Sequence, residues 1–365
     1  MTIVGTRPEL IRLARIIDAF DSNFEHTLIH TGQNSDENLK AVFFKDLKIR
    51  KPDIEFDITN TTLAGMLSTL FIKVEEEIIR TKPDAVVILG DTNSALSCIL
   101  AKRMKIPFYH IEAGLRSFDP NVPEEINRRI IDHTADFNFV YTEHARRNLL
   151  DEGLKSRNIA LVGTPLYEVL MGNLQEIRES QILNRLNLTA KDFFLVSAHR
   201  QENVDDPIRL KKLISNLEDL TKTFGCTAII STHPRTKDKL KAHGVETTDR
   251  LSFHAPFGFN DYCKLQLEAK IVLSDSGSIS EEAAILGFKA VTLRDSMERP
   301  EALEAGVVTM SGLNSNRLNE VVTKVIESPL PTNPPSDYFI ADTSARIVSY
   351  INSTVDEYRF WSGIR

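Results

Sequence analysis

The stretch SDSGSISEEAAILG, Ser274 to Gly287, decides how the chain is read. It comes after the apolar run Ile271-Val272-Leu273 and opens a helix expected to begin near Ser280. A strand, a small-residue turn and a helix start leave backbone N–H groups at the positive end of a helix dipole, where phosphate binds. Ser278, with Glu281 three positions later, also reads as a capping box. Alone, the stretch fits a capped helix after a parallel strand equally well. The turns elsewhere in the chain favour the anion site.

Working outward, the second half repeats the theme. Phe193 to Val196 is a strand ending in Ser197-Ala198-His199-Arg200-Gln201-Glu202-Asn203, and Thr227 to Ser231 is a strand ending at His233-Pro234-Arg235. A last strand, Ala290 to Leu293, runs into Arg294 and then Met297-Glu298-Arg299-Pro300-Glu301. In the first half, the short strand Thr2 to Val4 meets Gly5-Thr6-Arg7-Pro8-Glu9, where Thr6 and Glu9 are spaced as a capping box. Strand Ala85 to Leu89 ends in Gly90-Asp91-Thr92-Asn93, and Phe108 to Ile111 ends in Glu112-Ala113-Gly114-Leu115-Arg116. Val122-Pro123-Glu124-Glu125 then starts a helix, while Gly163-Thr164-Pro165 reads as a linker. Short strands alternating with helices predict an α/β protein with doubly wound parallel sheets, whose ligands sit at the carboxyl ends of the strands. The expected organisation is two similar halves facing each other across a cleft. The first is residues 1–165 and the second 166–342, with a terminal helix over 343–360 packing back on the first half.

Composition narrows the function classes. A formal charge of −7, no long basic run and 7% aromatic residues argue against nucleic acid as a partner. Cys98, Cys226 and Cys263 are widely spaced and odd in number, which fits buried thiols in a reducing compartment rather than a disulfide frame. No apolar run is long enough to span a bilayer, and MTIVGTRPE carries no basic-then-apolar leader, so the cytoplasm is the expected location. GxxxxGK[ST], a full GxGxxG turn after a strand, CxxC and GxSxG are all missing. Nucleotide hydrolysis on a P-loop, dinucleotide oxidoreduction, a metal site and a nucleophile elbow therefore lack their signatures, and no cofactor is expected.

Two groups of residues remain as candidates for chemistry. Asp91, Glu112 and Glu124 are carboxylates at strand ends or a helix start. Crowded together, such groups can divide acid and base roles, although Glu124 also fits simple helix-start decoration. His199, Arg200, His233, Arg235, Arg294 and Arg299 lie at strand ends and, with the Ser276-Gly277-Ser278 turn, form an electropositive rim suited to a diphosphate. Glu282 either accepts from ribose hydroxyls or completes the helix cap, and Arg7 stands where it could meet an anion.

Read in order, GTRPE (5–9), TGQN (31–34), GDT (90–92), HIEAGLRSFD (110–119), PEEINRR (123–129), SAHRQEN (197–203), HPRT (233–236), SDSGSISEEA (274–283) and ERPEALEAG (298–306) form one pattern. It resembles the non-hydrolysing UDP-N-acetylglucosamine 2-epimerase family from Met1 to about Leu313. The resemblance implies two Rossmann-like domains in a glycosyltransferase-B-type arrangement with an interdomain cleft. It also implies a UDP-sugar substrate, a homodimer, and inversion at C2 through a 2-acetamidoglycal without NAD or metal. On this resemblance Asp91, Glu112, Glu124 and His199 are the catalytic candidates. Arg7, Arg12, Arg116, His233, Arg235, Ser276, Gly277, Ser278, Glu282 and Arg299 are the substrate and UDP contacts. Arg12 stands where family members commonly place lysine, and Met297 where threonine is usual. GTRPELIRL, SGSISEE and SMERPE look closer to a capsule-type branch that converts UDP-2-acetamido-2,6-dideoxy-L-talose to UDP-N-acetyl-L-fucosamine. Competing readings are a hydrolysing epimerase, a glycosyltransferase of the same architecture and a silent UDP-sugar-binding module.

Overall fold

The computed structural model describes residues 1–32, 46–58, 62–198, 200, 203, 205–232, 238–240 and 248–364. They form two units, Met1–Met171 with Asp337–Arg365, and Gly172–Ser336.

The first unit is built on a parallel sheet of seven strands: β1 (Thr2–Val4), β2 (Leu28–His30), β3 (Ile54–Glu55), β4 (Val86–Leu89), β5 (Phe108–Ile111), β6 (Phe137–Val140) and β7 (Ile159–Leu161). Their order is β3-β2-β1-β4-β5-β6-β7, with Ile3 opposite both Ile29 and Ile88. Val86–Leu89 and Phe108–Ile111 are buried throughout, as strands covered by helices on both faces require. The helix Arg7–Asn23 starts on the expected Thr6/Glu9 capping box and buries Leu10, Leu13, Ala14, Ile16, Ile17 and Phe20. After β4 the chain makes a 3₁₀ turn, Asn93–Ser97, running into a short helix, Cys98–Arg103.

The expected unit boundaries shift by a few residues. Gly163-Thr164-Pro165 is no linker: Pro165 opens the helix Pro165–Gly172, which buries Leu166, Val169 and Leu170. Gly163 adopts φ +85, and a Cβ there would sit 2.6 Å from the Ile340 side chain, so the returning chain is packed on this turn. Asp337 accepts from Glu143 N at 2.9 Å, and Thr343 donates to the Val162 carbonyl at 2.9 Å. The helix Thr343–Thr354 then lies against the helix Arg7–Asn23. It is tied to β5 by a 2.8 Å bond between Thr354 and the Tyr109 hydroxyl.

The second unit has six parallel strands: β8 (Phe193–Ser197), β9 (Thr227–Ser231), β10 (Leu251–His254), β11 (Ile271–Ser274), β12 (Ala290–Thr292) and β13 (Val308–Met310). The order β10-β9-β8-β11-β12-β13 repeats the order of the first six strands of unit one. Its core joins Phe194, Val196, Leu273 and Val291 of the sheet to Leu210, Leu213 and Leu217 of the helix Pro207–Phe224. The sequence reading passed over β3, β13 and the helices Phe259–Glu268 and Ser315–Glu327. In both sheets the chain reverses direction of growth beside the first strand, at β1/β4 and at β8/β11. These switch points are where doubly wound sheets place ligands. Among the described residues, no helix is long and apolar enough to cross a membrane.

Candidate functional site

In unit one the switch point is drawn tight by Gly5. A Cβ there would fall 2.1 Å from Ser94 Oγ and 2.8 Å from Thr31 Oγ1, so only glycine lets the ends of β1, β2 and β4 meet. Thr31 and Ser94 close the junction with a 2.7 Å bond between their hydroxyls. Beneath it lies Glu9, whose Oε2 accepts from Gly5 N at 2.6 Å and from Thr6 N at 3.3 Å. Burial pushes this carboxyl up to about 7, against the lowering influence of the Gly5, Thr92 and Thr6 hydrogen bonds.

The turn Gly90-Asp91-Thr92 comes directly after β4. His110 Nε2 donates to the Gly90 carbonyl at 2.9 Å, and Asn127 Nδ2 donates to the Asp91 carbonyl at 3.0 Å. The Asp91 carboxylate pairs with Arg128. On the neighbouring strand end Glu112 adopts φ +73, a left-handed conformation that costs a non-glycine residue about 1 kcal/mol or more. Arg12 reaches it, Nε to Oε2 at 3.3 Å, with its guanidinium also over the Tyr141 ring at 5.6 Å. The structure thus brings Asp91, Glu112 and Arg12 to adjacent strand ends, with Arg7 at the first position of the flanking helix.

Glu124 and Glu125 separate sharply. Glu124 is exposed. Glu125 is buried and accepts from Ser117 N at 2.9 Å, while pairing with Arg129 at 3.1 Å. Arg116, expected as a ligand contact, is a correction. Its side chain is fully enclosed, with Nη1 2.7 Å from Asp132 and Nη2 2.6 Å from Glu152, so it braces the loop instead. Asp132 is the hub of that brace. Its fully buried carboxylate accepts from Arg116, from Gly114 N at 3.1 Å, and faces His110 Nδ1 at 2.7 Å. Burial works to raise its pKa, yet His110 and Arg116 hold it below the ordinary carboxylate value.

In unit two, buried Asp275 ends β11 and crosses the switch point. Its Oδ2 accepts from Arg200 N and from Asn203 Nδ2, each at 3.0 Å, which ties down the end of β8. Ser276 and Ser278 share a 3.0 Å hydroxyl contact. The capping box expected from Ser278 and Glu281 does not form. Ser278 sits in a right-handed helical conformation without a side-chain cap, and the helix begins at Ile279. Glu281 instead accepts from Arg299 Nε at 2.9 Å. At Gly277 a Cβ would lie 2.8 Å from Arg299 Nη1, so a larger residue there shifts that guanidinium, which Glu281 holds. Arg294 makes a forked pair with Glu298, which Arg200 also meets at 3.3 Å. Glu282 accepts from Gln266 Nε2 at 2.5 Å. His199, His233 and Arg235 lie outside the described residues. Among the described residues, no group of three or more His, Cys, Asp or Glu is placed to hold a metal ion.

Sequence reasoning missed Glu9, His110, Asp132, Asn127 and Asp275. For His110 a signal was present, since a polar residue inside a strand of large apolar residues must find partners. Asp132 and Asp275 gave none, because their partners come from distant turns.

Two parallel α/β sheets of the same order, with carboxylates at one switch point and arginines at the other, define a two-Rossmann-domain enzyme fold. The model of the UDP-N-acetylglucosamine 2-epimerase family matches residues 18–352. A UDP-N-acetylglucosamine 2-epimerase of Methanocaldococcus jannaschii is 36% identical over 329 residues, covering 88% of this chain and 90% of its own length. A solved UDP-N-acetylglucosamine 2-epimerase from Rickettsia bellii superposes with a TM-score of 0.90 at 42% identity, over 98% of this chain and 97% of that one. The M. jannaschii enzyme in complex with UDP-GlcNAc and UDP superposes with a TM-score of 0.91 at 34% identity, over 96% and 99%. The chain belongs to the UDP-N-acetylglucosamine 2-epimerase family, and its enzyme class is that of the isomerases.

Proposed function

We propose that this enzyme inverts C2 of a UDP-2-acetamido sugar, interconverting UDP-GlcNAc and UDP-ManNAc. The observation that carries the reading is the pair Asp91 and Glu112, set on adjacent strand ends and each facing an arginine. One carboxylate takes the C2 proton as the C1–O bond breaks. The electron pair of the C2–H bond becomes the C1=C2 double bond of a 2-acetamidoglycal, and the C1–O pair leaves on UDP. Re-addition of the UDP oxygen to C1, with a proton delivered to the opposite face of C2, completes an inversion with no net oxidation. Glu124, exposed at the start of its helix, is the third acid/base candidate. We assign the Ser276-Gly277-Ser278 turn, Glu282, Arg299, Arg7, His233 and Arg235 to UDP, and His199 to neutralising the departing diphosphate. The named ligands of the M. jannaschii complex support this reading. Three buried free thiols, Cys98, Cys226 and Cys263, support a cytoplasmic setting, and the family resemblance supports a homodimer.

Arg12 favours a second substrate. Buried against Tyr141 and Glu112, it presents a planar, always-charged group where lysine is common, and the two are not equivalent at a ligand. The same chemistry on UDP-2-acetamido-2,6-dideoxy-L-talose would give UDP-N-acetyl-L-fucosamine. Incubation of the enzyme with each UDP-sugar in D2O, read by NMR, tests both. Deuterium at C2 of intact UDP-sugar is the expected result, and the faster-exchanging sugar identifies the substrate. Turnover with no deuterium at C2, or release of free N-acetylmannosamine, defeats the proposal.

A further inference from the structure

The helix Phe259–Glu268 buries Phe259, Cys263 and Gln266, which recur at the spacing of one helix face, with Leu265 beside them. Gln266 is the exception on that face: an amide with no exposure where the pattern asks for an apolar side chain. Its Nε2 donates to Glu282 Oε2 at 2.5 Å, while its Oε1 makes no hydrogen bond among the described residues. Chemistry sets the orientation, because turning the amide over would press Oε1 against a carboxylate that can only accept. A half-satisfied buried amide is less stable than an apolar side chain of the same size. Stability alone gives no reason for glutamine here. Its bond to Glu282 does.

Glu282 follows Glu281 in the helix Ile279–Leu286, and the two acids are handled differently. Glu281 is fully buried and turned onto Arg299, whereas Glu282 is half-buried and keeps part of its surface open. Burial first, and then the Glu282 charge, push the Cys263 thiol well above its ordinary pKa, which places that carboxylate against the same helix face that carries Gln266. The Ser276-Gly277-Ser278 turn opens the Glu282 helix. A diphosphate seated on that turn has its ribose within roughly one helix turn of the first helical residues. An ionised carboxylate accepts from two hydroxyls together, the pattern a ribose diol presents.

We propose that Gln266 is a positioning residue for nucleotide recognition: its amide holds one oxygen of Glu282 so that the carboxylate meets the ribose hydroxyls of UDP in a fixed orientation. This deepens the assignment of Glu282 to UDP and rests on it. Gln266 itself touches no ligand. It acts by ordering a flexible glutamate before the nucleotide arrives, which removes that ordering cost from binding.

The test measures, by calorimetry, the affinities of UDP, 2′-deoxy-UDP and 3′-deoxy-UDP for the wild type, Gln266→Met and Glu282→Gln. Methionine keeps the length of the side chain and removes the donor. Hydrogen bonds to a charged group predict that the wild type prefers UDP over at least one deoxy analogue by about tenfold or more. That preference should shrink to roughly a few-fold in Gln266→Met, as in Glu282→Gln. A tie that serves only to join two helices would lower stability and leave the ratio alone. The ratio is taken within one protein, so it does not depend on the fraction that folds. A preference lost in Glu282→Gln but kept in Gln266→Met overturns the inference and leaves the ribose assignment standing. A preference kept in Glu282→Gln overturns both. ¹⁵N NMR of the Gln266 side-chain amide in the wild type adds a readout that needs no variant. A larger response to UDP than to the deoxy analogue is expected, and an equal response overturns the inference. Binding is read without turnover, so these ratios judge Gln266 whatever the fate of the epimerase reading.

Discussion

Replacing Asp132 with asparagine tests the hub on which unit one's candidate site hangs. The carboxylate has no exposure and faces three donors: His110 Nδ1 at 2.7 Å, Arg116 Nη1 at 2.7 Å and Gly114 N at 3.1 Å. An amide has the same shape but no charge and only one accepting oxygen: one orientation sets its NH2 against Arg116 and Gly114, and the other removes the charge that pairs with Arg116 and turns the NH2 to His110 Nδ1, which then accepts as the Nε2–H tautomer. Removing one partner of a buried ion pair costs about 3–5 kcal/mol, and an unsatisfied buried polar group about 1–3 kcal/mol. Arg116 keeps its fork on Glu152, at 2.7 and 2.6 Å, which places the expected loss near ~3 kcal/mol. At a urea slope of about 2–3 kcal/mol/M the midpoint should fall by roughly 1 M.

The chain has a single tryptophan, Trp361, and it belongs to unit one, so its fluorescence tracks that unit's unfolding. The same substitution loosens Gly114 and, through His110, the Gly90 carbonyl that fixes the Asp91 turn. A displacement of about 1 Å at a reacting group costs about 10²-fold in rate, which is the loss of C2 exchange expected here. A variant within about 0.5 kcal/mol of wild type, with exchange undiminished, would refute the brace as the device that sets the site.

Gly277→Ala should weaken UDP binding about tenfold or more, measured calorimetrically, because the new Cβ displaces Arg299 from beside the turn and strains its pair with buried Glu281. Glu125→Gln should cost ~1–3 kcal/mol in the Trp361 unfolding midpoint, since it loosens the buried contacts to Ser117 and Arg128; Glu124→Gln should change stability by less than ~0.5 kcal/mol while slowing exchange. The raised Glu9 pKa makes the folded state the tighter proton binder, so its stabilising contribution is complete below pH 4.5 and lost as pH rises to about 7. The full effect is ~3 kcal/mol, and it should vanish in Glu9→Gln when unfolding midpoints are compared from pH 4 to pH 8.

Strand-end turns were legible because parallel strands buried on both faces read as short apolar runs, and the residues just past them are polar and glycine-rich. Val86–Leu89 before Gly90-Asp91, and Ile271–Ser274 before Asp275-Ser276, are of this kind. The sheet order was less legible, since β3 has only two residues and β13 three, too short for any periodic signal. Single-residue environments were the least legible. Glu124 and Glu125 are adjacent and chemically identical, yet the helix face turns one outward and the other into the contacts of Ser117 and Arg128. Arg116 reads in sequence as one of several arginines near a strand end. Only the chain's return through Asp132 and Glu152 makes it a brace.

The electropositive rim changes character in the same way. Arg200, Arg294 and Arg299 are all near the β8/β11 switch point, but each already faces an acid there: Arg200 and Arg294 meet Glu298, and Arg299 meets Glu281. Asp275 takes the Arg200 amide as well. Among the described residues the positive charge of this rim is thus balanced before any diphosphate arrives, and bulk attraction to those three arginines is a poor account of affinity. What such a lattice offers an anion is orientation. The guanidinium planes are held by buried carboxylates, and the small Ser276-Gly277-Ser278 turn lets Arg299 approach the backbone closely. Unit one applies the same principle with the signs exchanged, since Asp91 and Glu112 are aimed by Arg128 and Arg12. Sheet order fixes where each set of groups stands. The counter-charge fixes which way they point, and a displacement chemistry that moves one proton at one carbon depends on the pointing.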